Sequence, residues 1–245
     1  YAEADPTNDV AGYDAARKLA ILASIGFHAN VTFDDVLVEG IEKISQNDVQ
    51  YASEMGYTIK LLAVAIRQEN GIALNVYPAF VPRSHPLASV KGSYNAIYVT
   101  GNIVDDVMFY GKGAGSLPTA SAVMGDVIST AKHILNHSTG TGMMLTETKR
   151  IPFYSSLKLE NSYYFRLIVD DVTGVLSQIA SAYADNDISI KEVVQKSRIE
   201  DAAELMIITE KTPRENIIHV EKALQVLPCM RQVSNVVRVM EDDRK

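Results

Sequence analysis

The sequence has little of three things, and each shortage closes off a class of function. Cysteine occurs once in 245 residues, at Cys229. One thiol excludes an internal disulfide framework and a multi-cysteine metal site. No apolar run approaches the roughly 20 residues that a membrane-spanning helix needs. Positive charge is in deficit, with 23 Lys and Arg against 30 Asp and Glu, a formal charge of −7. A general nucleic-acid binder needs a basic face to neutralise phosphates, so this balance argues against one. Small anionic ligands stay open, because they respond to the local field only. The first residues, Tyr1-Ala2-Glu3-Ala4-Asp5, lack the basic start and apolar core of a signal peptide. A cytoplasmic setting is therefore expected. A chain that opens on Tyr inside a polar motif reads as a piece of a longer protein.

What is present is ordinary soluble-protein material: 47% hydrophobic and 22% charged residues, enough for one or two domains. Residues 1–9 are polar and irregular. Asp9 is placed to cap a helix that runs to about residue 27, and a second helix is expected over 34–40. Ser45 opens another, with Asp48 as a weak variant of a capping box and Gly56 at its end. Residues 57–67 read as a buried strand and 71–81 as its hairpin partner. Short strands follow at 95–100 and 107–110. A glycine-rich turn at 111–115 then leads into a long apolar helix over 118–136. This order is α+β, helices on a mostly antiparallel or mixed sheet. Residues 141–161 have the composition of a linker. From residue 162 the pattern becomes strand, helix, strand, strand, helix, strand, a ferredoxin-like βαββαβ unit. The expected domains are thus 1–140 and 162–245.

Asp14 and Lys18 stand four apart on the first helix and share a face. Glu3 and Asp9 sit just upstream. Carboxylates hold an ammonium group, and a lysine among carboxylates can shuttle a proton. This is equipment for a small zwitterion. The spacing fits a second reading equally: an exposed ion pair worth about 0.3–0.5 kcal/mol and an N-cap worth about 1 kcal/mol.

The stretch Glu3-Ala-Asp5-Pro6-Thr-Asn-Asp9-Val-Ala-Gly12-Tyr-Asp14-Ala-Ala-Arg17-Lys18 resembles the signature of the homoserine dehydrogenases. So do Glu39-Gly40-Ile41, Ile59-Lys60-Leu61-Leu62-Ala63 and the block from Tyr110 to Ser121. The βαββαβ unit resembles the ACT domain carried by many of these enzymes. The resemblance implies NAD(P)-dependent interconversion of L-homoserine and L-aspartate 4-semialdehyde. It implies Lys18 and Asp14 as catalytic residues, and Glu3 and Asp9 as substrate-binding ones. Hydride addition to an aldehyde builds charge on its oxygen, which a lysine ammonium stabilises and protonates.

Gly111-Lys112-Gly113-Ala114-Gly115-Ser116 fails the dinucleotide fingerprint, because Ser116 stands where the third glycine belongs. By spacing it is a tight strand-to-helix turn. By resemblance, Gly113, Ala114 and Gly115 approach the nicotinamide end of NAD or NADP. The Rossmann domain that holds most of the cofactor in this family has no counterpart in these residues. No ligand set for a monovalent cation is visible, and the pair His133 and His137 reads as a helix end.

In the second unit, Asp171, Gly174, Val175 and Leu176 resemble the ACT ligand loop, and Asn186 and Ile188 the turn before the next strand. The implied effector is an amino acid, threonine first. The same residues also read as ordinary caps and turns. Homodimers or homotetramers are expected from strand edges that need partners. A reading of a different class stands beside the enzyme: an amino-acid-binding regulatory module that keeps the scaffold without the chemistry.

Overall fold

The structure is a computed structural model, which describes residues 5–138, 151–199 and 201–241. The first 15-residue helix does not start at Asp9. A short helix α1 (Thr7–Val10) precedes it, and α2 (Tyr13–Phe27) begins after Gly12, which takes a left-handed φ of 81°. Any side chain there would be strained and would press on Val76 Cγ1 at 3.0 Å. Ala16, Leu19, Ala20 and Ala23 form the buried stripe of α2, at the helical spacing that turns one face to a core.

No helix forms over 34–40. Thr32 and Asp35 close a capping box on a single 3-10 turn, Phe33–Asp35. The chain then extends as β1 (Leu37–Val38), which pairs in parallel with Asn75 and Val76. The sheet edge offered by Asn75 and Val76 wins over helix propensity in so short a segment. Gly40 follows where a Cβ would lie 2.7 Å from Ala11 Cα, and the Ile41 amide donates to the Val10 carbonyl at 2.9 Å. The Glu39-Gly40-Ile41 segment thereby braces the turn that aims α2.

Helix α3 (Gln46–Glu54) has the expected Ser45–Asp48 capping box in full. Strands β2 (Tyr57–Gln68) and β3 (Gly71–Pro82) form the long hairpin. A separate two-stranded ribbon, β4 (Tyr94–Gly101) with β5 (Asp105–Lys112), leads into α4 (Ser116–Leu135). The chain then continues through β6 (Glu160–Asp170), α5 (Val175–Ala184), β7 (Ile190–Ile199), β8 (Ala202–Thr209), the short β9 (Thr212–Pro213), α6 (Arg214–Gln225) and β10 (Met230–Val239). Their order β10-β6-β8-β7 is all antiparallel, the ferredoxin-like arrangement.

The two lobes share one sheet. β10 pairs in parallel with β3 through Arg238 with Ala79 and Val239 with Phe80, continuing the edge that β1 occupies. Residues between the lobes are also docked: the Ile72 amide donates to the Pro152 carbonyl at 2.9 Å, and the Ile72 carbonyl accepts from the Tyr154 amide at 2.8 Å. One sheet face carries α2 and α3, over cores built on Leu74 and Val76 and on Phe80, Tyr164 and Met206. The other carries α5 and α6 over Tyr163, Phe165, Leu167 and Leu205. No helix among the described residues is long and apolar enough to cross a membrane.

The joint between the lobes is polar and buried. Asp48, fully enclosed, accepts from Arg166 Nε at 2.7 Å and from Asn235 Nδ2 at 2.9 Å. Arg166 reaches Glu204 at 3.2 Å and Ser45 Oγ at 3.1 Å, and the Tyr51 hydroxyl donates to the other Glu204 oxygen. Burial alone would push the Asp48 carboxyl up. Hydrogen bonds from Ser45, Asn235 and Arg166 outweigh it and hold the carboxyl below its ordinary value. Burial, and then the Glu204 hydrogen bond, push the Tyr51 hydroxyl up to about 12.

Candidate functional site

The buried stripe of α2 leaves Asp14 and Lys18 on its outer face, one turn apart. Lys18 Nζ lies 2.6 Å from Asp14 Oδ2, with the side chains 61% and 45% exposed. So exposed a pair adds little to stability and is open to a small molecule. It joins a proton donor to a charged acceptor at the head of a rigid helix. Arg17, one residue away, donates to Asn8 Oδ1 at 3.2 Å and lies 5.3 Å above the Phe33 ring. It ties α1 to α2 and does not simply extend into water.

Asp9 lies inside α1, exposed, with its carbonyl accepting from the Gly12 amide at 3.2 Å. It caps nothing, which leaves its carboxylate uncommitted to the helix. Asp5 takes the local hydrogen-bonding role instead, accepting from the Thr7 amide and hydroxyl. Glu3 lies outside the described residues. Of the four residues singled out from sequence, the structure places three on the α1–α2 corner and joins Asp14 to Lys18.

The glycine loop belongs to the ribbon. The Gly113 amide donates to the Ser93 carbonyl at 3.2 Å, and a Cβ on Gly113 would lie 2.7 Å from Asn95 Cγ. Gly115, with a φ of 119°, starts α4, and Ala114 between them is exposed. Among the described residues no hydrogen bond or ion pair links this loop to α2. Helix α4 buries none of its residues.

The six residues of the second unit fall into two groups. Asp171, Gly174, Val175 and Leu176 lie where β6 meets α5. Gly174 is left-handed at φ 90°, Leu176 is half exposed and Val175 is core. Asn186 and Ile188 lie at the other end of α5, about 15 Å away for ten residues of helix. There Asn186 Nδ2 donates to the Ala182 carbonyl at 2.8 Å and Ile188 is buried. One copy of the chain does not bring the groups together. Among the described residues no group of three or more His, Cys, Asp or Glu side chains is placed to hold a metal ion. The local patterns had not pointed to the Asp48–Arg166–Glu204 network. The available signal was a charged residue inside an otherwise apolar strand, Arg166 in Tyr163-Tyr-Phe-Arg-Leu-Ile-Val169.

Fold and site together define a class: a mixed α+β scaffold with an acid–lysine pair at the head of one helix, sharing its sheet with a ferredoxin-like unit. The family model for homoserine dehydrogenase matches residues 1–128, and the chain belongs to the homoserine dehydrogenase family. It is 40% identical to the homoserine dehydrogenase of Corynebacterium glutamicum over 99% of this chain and 55% of the relative. It is 41% identical to that of Mycobacterium tuberculosis over 98% of this chain and 56% of the relative. Among solved structures, a homoserine dehydrogenase from Thiobacillus denitrificans superposes with a TM-score of 0.90 at 35% identity, covering 98% of this chain and 56% of that one. The S. aureus enzyme at pH 7.5 superposes at 0.70 with 28% identity. The chain spans about half the length of the curated relatives it matches.

Proposed function

We propose that the chain forms the substrate-binding and catalytic portion of an NAD(P)-dependent homoserine dehydrogenase, which interconverts L-homoserine and L-aspartate 4-semialdehyde in amino-acid biosynthesis. The observation that carries this reading is the accessible Asp14–Lys18 pair, 2.6 Å apart on a braced helix, in a chain of that family. Lys18 donates a proton to the oxygen that develops charge as hydride arrives, and Asp14 orients the ammonium. Glu3 and Asp9 hold the substrate's amino group. Gly113, Ala114 and Gly115 fit close to the nicotinamide end of the cofactor, because their loop carries almost no side chain. The cofactor, NAD or NADP, supplies the hydride when bound and is held chiefly by a nucleotide-binding region beyond these 245 residues.

The same reading divides the chain into a catalytic domain at 1–140, a connection at 141–161 and an ACT-type regulatory domain at 162–245. An amino-acid effector, threonine first, binds at Asp171, Gly174, Val175 and Leu176 of one copy, with Asn186 and Ile188 supplied by a second. The wide separation of the two groups along α5 supports a shared site of that kind. A cytoplasmic homodimer or homotetramer is the matching assembly. The test is Lys18→Ala in the protein joined to its nucleotide-binding region. Turnover is expected to fall by about 10²–10⁴ while homoserine binding, read by calorimetry, survives. A near-normal kcat overturns the assignment.

A further inference from the structure

On the sheet face away from α2, the joint between the lobes encloses a cleft that the catalytic reading does not use. Alternation along β1 and β3 sends Val38 and Val76 to the α2 core. It sends Glu39 and Asn75 the other way, into a cavity of about 230 Å³ shared with Lys43, Arg214 and Arg238. A second cavity of about 320 Å³ continues from the same Glu39, Lys43, Arg214 and Arg238 toward Tyr163, Glu221 and Ser234. The combined wall carries three cations against two carboxylates.

These groups are unequally satisfied. Arg238 is spent: it donates to Glu39 at 2.8 Å and lies 4.1 Å above the Tyr77 ring, with its side chain 7% exposed. Arg214 has only a 3.8 Å approach to the same Glu39 oxygen and keeps donors to spare. Lys43 makes no ion pair among the described residues. Asn75 and Tyr163 are 3% and 1% exposed, yet Asn75 Nδ2 and the Tyr163 hydroxyl have no hydrogen-bond partner among the described residues; nor has Ser234 Oγ. Each buried polar atom left unpaired costs about 1–3 kcal/mol. A cleft that sets an unpaired lysine and a loosely paired arginine beside unpaired buried polar atoms suits an anion that accepts hydrogen bonds, and its size suits a molecule of a few heavy atoms.

We propose that this cleft is a binding site for a small carboxylate of amino-acid size, distinct from the α1–α2 corner. Arg214 and Lys43 grip the carboxylate, Asn75 lies at its inner end, and Glu221 is placed for an ammonium when the ligand has one. Because β1 comes from one lobe and α6 and β10 from the other, an occupant ties the lobes together. The proposal does not rest on the catalytic assignment.

The probes are L-aspartate and succinate, which share a carbon skeleton and differ by the ammonium group. Calorimetry on the chain is expected to give saturable binding of at least one of them in the millimolar range or tighter, with a matching rise in Tm. Arg214→Gln and Lys43→Gln are each expected to weaken it about tenfold, the loss of one charge-assisted hydrogen bond. Lys43 is exposed, so its variant folds even if the Arg214 variant does not. Lys18→Ala is expected to leave binding unchanged. Tighter binding of L-aspartate places its ammonium on Glu221, and equal binding shows that the carboxylate alone is read. Absence of saturable binding by both probes overturns the proposal. So does full-strength binding in the Lys43 variant, or loss of binding in the Lys18 variant.

Discussion

The joint between the lobes and the arm formed by β4, β5 and α4 are opposite solutions to the same problem of placing apolar and charged side chains. On the α3 side of the joint the side chains are enclosed. Phe80 of β3 stacks on Tyr164 of β6 with ring centroids 4.5 Å apart, and Asp48 and Arg166 are paired with at most a tenth of either side chain exposed. In the arm Leu117 and Leu135 are 81% and 78% exposed, and Ile103 at the ribbon tip is 89% exposed. On the α3 side the joint is a packed interior. The arm is an apolar surface that the described residues leave uncovered. The contrast teaches that the second unit is a structural continuation of the first, bonded through sheet, aromatic stack and ion network. The Asp14–Lys18 pair and the loop at Gly113 and Ala114 lie on open surfaces beyond that joint.

The sharpest way to break this comparison is to remove the joint's central charge. Asp48→Ala takes the carboxylate from Arg166 Nε and from Asn235, leaving Arg166 to Glu204 and Ser45 and Asn235 to the Lys43 carbonyl, a loss expected to cost about 3–5 kcal/mol. Urea denaturation checks it, and because both lobes share the sheet they are expected to unfold together. A loss under about 1 kcal/mol, or two separate transitions, would show that the joint is not what holds the lobes. The same carboxylate predicts the acid response. Its folded pKa lies below the ordinary 3.8. Its contribution is therefore fully present above that unfolded value and disappears as pH falls through the lower folded one. The wild-type protein is expected to lose stability over that acid range, and an Asp48→Asn variant to lose less of its own.

A smaller effect is expected from Tyr51→Phe. It deletes the hydroxyl that donates to Glu204 and leaves the ring in place. One buried hydrogen bond to a charged acceptor is worth about 1.5–3 kcal/mol. The ultraviolet titration of the tyrosines should in parallel lose a component near 12, where Tyr51 is held by burial and by Glu204. An unchanged melting curve with an unchanged titration would remove Tyr51 from the network.

The joint also marks how far the sequence could be read. The ferredoxin-like unit was legible strand by strand, because Tyr163, Phe165, Leu167 and Val169 alternate with a period of two and all turn to one core. The Ser45–Asp48 capping box was legible because it is local. What was hidden is that the second oxygen of Asp48 meets an arginine 118 positions away; no local pattern encodes that. The 34–40 segment was misread because a short apolar run suits helix and strand alike, and the waiting edge of β3 decided between them. Of the candidate site, the Asp14–Lys18 contact followed from helical spacing. The helix start did not, since it depends on Gly12 fitting between Val38 and Val76.

The arm supplies the mildest perturbation of the comparison. Leu117 and Leu135 flank α4 and touch no core, so replacing both with serine removes almost no buried area from the chain itself. The expected cost is the helix-propensity difference, no more than about 0.5 kcal/mol for each site. Stability measured by urea should barely move, while self-association, measured by sedimentation, should weaken if α4 meets another copy. A destabilisation above about 2 kcal/mol would mean that α4 packs against the chain's own interior after all. The division into a closed joint and an open arm would then fail, because both regions would be core. A small cost with unchanged assembly would keep the division and show that the arm's apolar face is not what holds copies of the chain together.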